Sequence, residues 1–379
     1  MPSPFTHAEY QARQHRARLL MEQRELDALF ITDPGNLFYF TGFPFSAERS
    51  FPRPAVLVLP REGEAALVVH DFHFPSVWQG EHRFYQQVGE LPVALLVELF
   101  SEKVRTGGHI GAELGFEQQL ALSYDDFATL KARLPSLQFV DAASLLWQLR
   151  MTKTDAEIKN ISEACNVHDE IFRQCFATMR AGSTTQQIDL MFQRAALEAG
   201  ARASGAIVCL GAFQSSQAAG SSAGERALDV GDMCWVDLSL GWNGYRTDYC
   251  RAVVCGGPTE KQCSEWARMQ EVLLAGQDAA QPGEPVSAIY RAQVACAHTI
   301  GLDMSSWTAR RFGHGSGIHT TEPPYVNADD DTVLEPNMVI HLEPGLIGDD
   351  GIYVREEMVV ITESGCRPLS CAPWELGTV

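Results

Sequence analysis

The feature that most constrains the fold of this chain is a predicted β-hairpin, residues 236–251, with an acidic residue on each arm. Runs rich in β-forming residues flank a Gly-Trp-Asn-Gly turn at 241–244, and pairing outward from that turn sets Asp237 opposite Asp248. Directly opposed side chains are within contact distance, so two like charges there repel each other. A metal cation between them removes the repulsion, because carboxylates are hard oxygen ligands. The hairpin therefore predicts a metal site, and the alternative is a pair of solvated carboxylates.

Three downstream segments offer further metal ligands and decide between these alternatives. His314 lies among glycines, Glu343 precedes a Pro-Gly pair, and Glu356 and Glu357 stand side by side. One imidazole with four carboxylates is too acidic a set for a single structural zinc. The set indicates a pair of metal ions bridged by carboxylates.

The order and spacing of these residues resemble the pita-bread metallohydrolases, which include aminopeptidase P, prolidase, methionine aminopeptidase and, by fold, creatinase. In that pattern the second Asp follows the first after eleven residues. A Gly-His-Gly-x-Gly segment, a Glu-Pro-Gly segment and a Glu six residues before a Thr come next. Thr362 favours Glu356 over Glu357 as the last ligand. The five matching positions are Asp237, Asp248, His314, Glu343 and Glu356.

The resemblance implies an α/β amino-terminal domain over residues 1–150, followed by an α+β pita-bread catalytic domain over residues 151–379. It also implies two divalent metal ions that hold and acidify a bridging water. Asp237 would serve one ion, His314 and Glu343 the other, and two carboxylates would bridge them. Those bridging residues are Asp248 and Glu356. Mn, Fe, Co and Zn all suit such ligands, and the sequence does not choose among them.

The amino-terminal part of the chain alternates strands and helices up to about residue 140, which predicts an α/β domain. Within it, a turn at 33–36 leads to an aromatic-Thr-Gly segment at 37–42, similar to one in the creatinase and prolidase branch. Residues 149–158 resemble the family's junction between domains. Thr154 or Asp155 is expected to cap the helix that follows.

Beyond this junction, two helices followed by strands occur twice, which fits the two-fold pseudo-repeat of the pita-bread fold. The helices are predicted at 157–181, 185–199, 262–281 and 286–301. The strands that flank the last ligands are predicted at 338–342 and 352–361, with the intervening residues as a loop.

Two departures from the peptidase pattern concern the substrate. Aminopeptidase P and prolidase carry a second His seven residues after the metal-binding His, where this chain has Thr321. The place of another peptidase His falls on Gly220. One hypothesis is therefore an Xaa-Pro peptidase with an altered substrate range. The other is a non-peptide hydrolase or lyase that acts on a small carboxylated metabolite, as in creatinase, ectoine hydrolase and dimethylsulfoniopropionate lyase. The intact ligand set argues against a third class, a binding module without catalysis.

Two histidines and a glutamate are candidates for the catalytic roles left open by these departures. His319 and His341 lie close in sequence to predicted metal ligands, and His341 shares a face with Glu343 if that stretch is a strand. The alternative for His341 is a packed residue that supports the ligands. Glu322 is a candidate general acid or base, and the alternative is a solvated loop carboxylate.

Arginines are candidates for substrate binding, because a guanidinium matches a carboxylate in bidentate fashion. Arg311, beside Arg310, is placed close to the predicted metal-binding His. The family resemblance also implies a homodimer in which one subunit covers the site of the other. Arg49 and Arg53 are then candidates that act in trans, and solvated surface charge is the alternative for each arginine.

Composition excludes several classes of partner. The formal net charge of -19 disfavours nucleic acid and anionic membranes, which both require a positive surface. The apolar runs fall short of the ~20 residues of a membrane span, and the first residues lack a signal-peptide pattern. The 10 cysteines contain no Cys-x-x-Cys pair, which favours buried free thiols. We therefore expect a cytoplasmic enzyme that acts on a small peptide or another small molecule.

Overall fold

The computed structural model describes residues 4–43, 53–72, 78–211, 224–307, 310–371 and 375–379. The chain divides into two compact units, Met1–Arg150 and Met151–Val379. Arg49 and Gly220, which the sequence singles out, lie outside the described residues. Among the described helices, none combines the length and the apolar character needed to cross a membrane.

The first unit contains a mixed β-sheet accompanied by helices. The helices are α1 (His7–Gln23), α2 (Pro34–Thr41), α3 (Val93–Lys103), α4 (Tyr124–Arg133) and α5 (Ala143–Met151). The strands are β1 (Ala28–Ile31), β2 (Val56–Pro60), β3 (Ala66–His70), β4 (Glu81–Tyr85), β5 (His109–Ala112) and β6 (Gln138–Asp141). They lie in the order β4-β3-β2-β1-β5-β6.

The position of a strand in this sheet determines how clearly it shows in the sequence. Strands β1, β2 and β3 are buried along their whole length, so each is a continuous apolar run that stands out in the sequence. Strands β4 and β6 form the edges of the sheet and are partly exposed, so polar residues interrupt their pattern. The sequence pattern therefore gives no clear strand signal for β4 and β6.

Helix α2 occupies the segment that was predicted as a turn, so that prediction is wrong. The side chain of Asp33 accepts a hydrogen bond from the Asn36 backbone N–H and caps the helix. Pro34 stands in the first turn, where its missing N–H has no cost. Gly42 ends the helix in the left-handed conformation, with φ of 69°. The same polar and glycine residues that suggest a turn therefore start and stop a short helix.

The second unit repeats an order of two helices followed by strands. Its helices are α6 (Asp155–Thr178), α7 (Thr185–Glu198), α8 (Glu260–Ala279) and α9 (Ser287–Thr299). Its first strands are β7 (Arg202–Leu210), β8 (Met233–Trp242) and β9 (Tyr245–Val254). Its later strands are β10 (Gly313–Gly315), β11 (Glu322–Tyr325), β12 (Val339–Leu342), β13 (Gly345–Ile347), β14 (Ile352–Val354), β15 (Glu357–Thr362), β16 (Gly365–Pro368) and β17 (Gly377–Thr378).

These strands form two larger sheets and one pair. The sheet orders are β17-β9-β8-β7 and β11-β10-β12-β15-β16, and β13 pairs with β14. Helices α6, α7 and α8 each begin with a capping box, in which a Thr and a Glu or Gln three residues later satisfy each other's backbone N–H. Thr154, rather than Asp155, caps α6.

The β8–β9 hairpin has a tighter turn than the predicted one at 241–244. Trp242 pairs with Tyr245, and Asn243 and Gly244 have φ angles of 49° and 84°, as in a two-residue type I′ turn. Because this turn shifts the register, Asp237 pairs with Cys250 and Ser239 pairs with Asp248. The predicted direct pairing of Asp237 with Asp248 is wrong, and the two are diagonal neighbours on one face.

The predicted loop after residue 342 and the predicted strand 352–361 both require correction. Residues 345–347 form β13, which pairs with β14. The predicted strand divides into β14 and β15 at Arg355 and Glu356. The β12–β15 and β13–β14 pairs have the same register, so they are two parts of one ladder. The ladder is interrupted at Glu343 and Glu356.

Two glycines allow His314 to lie between two other strands. A side chain on Gly313 would overlap the backbone oxygen of His341 on β12, and Gly313 has φ of 142°. A side chain on Gly315 would overlap the backbone oxygen of Pro323 on β11. The Gly-His-Gly sequence is therefore required by close backbone contact on both sides of the histidine.

We expect Gly313→Ala to lower the free energy of unfolding by roughly 3 kcal/mol and to abolish metal binding, because the new methyl group separates β10 from β12. Thermal denaturation and metal content measure the two effects. Gly224→Ala is the matched control, since its methyl group would make only an ordinary contact, 3.8 Å from Thr185. Wild-type stability and metal content in Gly313→Ala would contradict this account.

Candidate metal centre

Asp237 and Asp248 project from one face of the hairpin into a largely apolar environment. The same face carries Trp235 and Cys250, which belong to a buried apolar cluster. Oδ1 of Asp237 is buried and makes no hydrogen bond within the described part of the chain. A buried carboxylate oxygen without a donor is costly. A bound cation would satisfy it.

His314 and His341 form a stacked pair on neighbouring strands. They are directly opposed in the β10–β12 ladder, and their ring centroids are 4.5 Å apart with an interplanar angle of 24°. Nδ1 of His314 lies 2.9 Å from the backbone oxygen of Gly315, while Nε2 lies 3.8 Å from Oδ2 of Asp248. Nδ1 of His341 lies 3.0 Å from Oε1 of Glu356. Each ring therefore turns one nitrogen toward a carboxylate of the cluster.

Glu343 and Glu356 come from the interruption between the two ladders. The shared register sets them opposite each other. Glu356 is buried, whereas the next residue, Glu357, forms an ion pair with Arg251. The structure thus places Glu356, and not Glu357, beside the two histidines.

Two groups of three side chains could each hold a metal ion. In each group, every residue offers one ligand atom, and these three atoms lie within 4.8 Å of one another. The first group is His314, His341 and Glu356, and the second is Asp237, Asp248 and Glu356. Glu343 belongs to neither group. Burial is the main cause that raises the pKa of Asp248 and Glu356, and the negative charge of Glu343 is a further cause. Glu356 is common to both groups and joins them into one cluster.

Burial is the main cause that raises the pKa of the clustered carboxyl groups. It raises the pKa of Asp237 to about 6, and together with the charge of Asp237 it raises the pKa of Glu343 to about 8. The pKa values of Asp248 and Glu356 are raised by burial and then by neighbouring carboxylates. Burial, followed by the charge of Arg311, lowers the pKa of His314 to about 4, so its imidazole is neutral near pH 7. Repelling carboxylates with neutral imidazoles fit divalent metal ions.

A buried ion pair supports the backbone behind this cluster. Nη2 of Arg251 lies 2.7 Å from Oε1 of Glu357. Nη1 of Arg251 donates to the backbone oxygens of Cys250 at 2.8 Å and Glu356 at 3.1 Å. Ser370 donates a further hydrogen bond to Glu357. The pair therefore connects β9, which carries Asp248, with the chain at Glu356.

Glu322 is a buried strand residue, so the solvated-loop alternative for it is wrong. Its side chain is 1% exposed, and Oε1 accepts a hydrogen bond from the His319 backbone N–H at 2.8 Å. Nδ1 of His319 lies 3.9 Å from the same oxygen, and the His319 side chain is 38% exposed. Thr321 lies between them and is half-buried. The structure therefore brings together a buried carboxylate and a more accessible imidazole next to the missing peptidase histidine.

Arg311 lies in the segment before His314, and its charge acts on the carboxyl groups of the cluster. Its positive charge opposes the rise in the pKa of Asp248 and Glu343, which is caused mainly by burial. Its guanidinium lies 5.4 Å from the Tyr325 ring centroid. Arg53 belongs to the first unit, where its guanidinium lies 4.9 Å from the centroid of Phe72.

Comparison with known proteins identifies the family. The sequence pattern of Metallopeptidase family M24 matches residues 159–363, and that of the Creatinase/Prolidase N-terminal domain matches residues 13–152. The chain belongs to Metallopeptidase family M24. It is therefore a peptidase-like, metal-dependent hydrolase, and family membership implies divalent metal ions.

Individual relatives of this M24 chain span nearly its whole length. It is 26% identical to the uncharacterized peptidase YqhT of Bacillus subtilis over 95% of this chain and 98% of that protein. It is 25% identical to the Xaa-Pro dipeptidase of Pyrococcus furiosus over 94% and 97%. The solved structure of a prolidase from Thermococcus sibiricus superposes with a TM-score of 0.84 at 20% identity, covering 98% of this chain and 99% of that one. The predicted fold class, an α/β amino-terminal domain followed by an α+β pita-bread domain, is confirmed.

Two features of the centre differ from what the sequence predicts. The sequence predicts a catalytic or supporting role for His341, whereas the structure includes it in a potential ligand group. The available signal was its spacing of two residues from Glu343, which predicted the shared face. Nothing in the sequence paired Arg251 with Glu357, because the two residues are 106 positions apart and meet only through strand packing.

We expect the metal-free protein to lose stability as pH rises. A carboxyl group whose pKa is higher in the folded chain than in the unfolded chain binds its proton more tightly when folded. The free energy of unfolding should therefore fall from about pH 4 through the folded values of about 6 for Asp237 and about 8 for Glu343. Bound metal should remove this fall, because it replaces the protons.

The fall in stability can be measured by thermal denaturation at several pH values between about 4 and 8. Each measurement is made once in chelator and once in excess Mn²⁺. Asp248→Asn should weaken the pH dependence of the chelated protein, since it removes one of the repelling charges. A melting temperature that rises with pH in chelator would contradict the prediction.

We expect Arg251→Met to lower the free energy of unfolding by about 3–5 kcal/mol, because it leaves the buried Glu357 carboxylate unpaired. Urea denaturation measures the loss, and titration with metal should show weaker binding. Arg194→Met is the matched control, since Arg194 pairs with Glu198 on an exposed helix face, and no measurable change is expected. Equal stability of the two variants would show that the buried pair does not support the fold.

Proposed function

We propose that this M24 protein uses two divalent metal ions to hydrolyse Xaa-Pro bonds in small peptides. The observation that carries the proposal is the pair of ligand groups that share Glu356. A shared carboxylate between two groups is the arrangement expected of a two-ion centre. The Xaa-Pro specificity is supported by the names of the Pyrococcus furiosus dipeptidase and the Thermococcus sibiricus prolidase.

In this proposal Asp237 would serve one ion, His314 and Glu343 would serve the other, and Asp248 and Glu356 would be shared by both. When bound, the ions supply Lewis-acid activation of the attacking water and of the scissile carbonyl. The raised pKa values of the carboxyl groups support this assignment, because they reflect a negative cluster that a cation would relieve. Mn, Fe, Co and Zn remain candidates.

Other side chains of the site have roles in binding and proton transfer. Glu322 is proposed as the general acid or base, because it is buried next to Thr321, which takes the position of the second peptidase histidine. His319 is proposed to relay protons between Glu322 and the solvent, because its ring is close to that carboxylate and partly exposed. Arg311 is proposed to bind the carboxylate of the substrate. His341 has a separate role, argued below.

A second candidate function follows from Thr321. A threonine hydroxyl does not titrate near neutral pH, so it cannot replace the proton chemistry of an imidazole at that position. This favours a non-peptide hydrolase or lyase that acts on a small carboxylated metabolite. Both candidates use the same metal centre, so the substrate distinguishes them.

The proposal includes a cytoplasmic homodimer. Several described cysteines are both free and buried, which is consistent with a reducing compartment; they are Cys165, Cys175, Cys234, Cys250 and Cys255. The dimer rests on the resemblance to pita-bread enzymes in which one subunit covers the site of the other. Arg49 and Arg53 are proposed to reach the partner's site from the first unit.

We expect the protein, when loaded with Mn, Co or Zn, to release proline from Xaa-Pro dipeptides. Asp248→Ala should reduce turnover by more than about 100-fold, because it removes a bridging ligand. Chromatographic assay of Xaa-Pro di- and tripeptides measures this. Asp278→Ala is the matched control, since Asp278 is an exposed helix residue and its loss should leave turnover unchanged. Two bound ions without any Xaa-Pro turnover would favour the second candidate function.

A further inference from the structure

We infer that His341 is a sixth metal ligand, which binds through Nδ1 and gives one ion of the pair two imidazole ligands. The inference rests on the proposed two-ion centre and adds a residue to its ligand set. It also divides the centre into a nitrogen-rich position, formed by His314, His341 and Glu356, and an oxygen-rich position, formed by Asp237, Asp248 and Glu356.

The distances in the first group suit ligands of one ion. Two ligands at about 2.1 Å from a metal are about 3.0 Å apart when adjacent at a right angle and about 4.2 Å apart when opposite. Nδ1 of His341 lies 3.0 Å from Oε1 of Glu356. The ligand atoms of the whole group lie within 4.8 Å of one another. Small shifts therefore suffice to bring all three atoms onto one ion.

The surroundings of His314 follow a pattern common to metal-binding histidines, and those of His341 follow it in part. Such a histidine donates its other ring N–H to a carboxylate or a backbone carbonyl, which fixes the ring and its lone pair. His314 faces the Gly315 carbonyl with Nδ1, and its Nε2 is directed toward Asp248. For His341, Nδ1 is directed toward Glu356, while Nε2 is buried and makes no hydrogen bond within the described part of the chain. His314 thus has a carbonyl on one side and a carboxylate on the other, whereas His341 has the carboxylate alone.

The placement of His341 also limits what else it can do. Its side chain is fully buried, stacked on His314 and held in the central strand β12. A residue in this position cannot exchange protons with solvent directly. A ligand role uses the buried lone pair, whereas a purely supporting role would use Nδ1 only as a hydrogen-bond donor to Glu356.

The assignment has a consequence for metal identity. Two imidazoles with a carboxylate suit Zn, Co or Fe, whereas a position built only from carboxylates also suits Mn. The two positions should therefore differ in preference. With one equivalent each of Zn²⁺ and Mn²⁺, zinc should occupy the histidine position.

Zinc X-ray absorption of the full-length protein loaded with two zinc ions tests the assignment directly. Two imidazoles distributed over two ions give an average of about one imidazole per zinc, and His314 alone gives about one half. The first result is expected. The second result, with two zinc ions bound, overturns the inference and leaves the proposed two-ion centre intact. Fewer than two bound zinc ions would instead refute the two-ion centre itself and the inference with it.

His341→Asn provides the second arm of the test. Asparagine keeps an N–H donor for Glu356 but loses the imidazole, so the average should fall from about one to about one half imidazole per zinc. His168→Asn is the matched control, because His168 is equally buried and stacks on Tyr249 and Phe172 outside both ligand groups. Its imidazole count should equal that of the wild type. An unchanged count in His341→Asn would overturn the inference, and if that variant does not fold, the wild-type count decides.

Discussion

The centre of this protein depends on one constraint, the burial of several carboxylates close to one another, whose charge the cations among the described residues do not neutralise. Burial disfavours each negative charge, and the neighbouring carboxylates add repulsion. Arg311 opposes the effect for Asp248 and Glu343 but does not remove it. The fold holds this arrangement through strand pairing, because the two histidines and the two aspartates lie in paired strands, and Glu343 and Glu356 lie between two ladders of one register. Metal dependence therefore follows from the fold as much as from the ligands.

The backbone that carries these ligands is organised by close contacts and by buried polar pairs. Gly313 and Gly315 permit the strand of His314 to approach its neighbours on both sides. The Arg251–Glu357 pair connects the hairpin to the chain at Glu356 from the opposite face. Neither contributes a ligand. Both fix positions to the accuracy that a metal site requires, since a ligand displaced by a fraction of an ångström binds poorly.

Much of the fold and of the ligand set was predictable, because the signals were local. Periodicity and turn residues predict the hairpin and the helices. The family resemblance then assigns the Gly-His-Gly segment and the other ligands to one site. Two errors arose from local signals that were assigned wrongly. Asn243–Gly244 forms a two-residue turn that moves the register by two residues, and the capping residues Asp33 and Gly42 start and stop α2 where a turn was expected at 33–36. The third error depended on strand pairing, because β13 forms against β14 where a loop was expected. The role of His341 depends on which ring stacks against it, which no local pattern encodes.

Glu356 belongs to both ligand groups, and this has a consequence for how the centre fills. In the proposed two-ion centre, the first ion would displace the proton that burial and repulsion favour on the shared carboxyl group. The second ion would then meet a carboxylate that is already deprotonated and oriented. Sharing one ligand between two positions would thus favour cooperative loading, in which the half-filled form is a minor species.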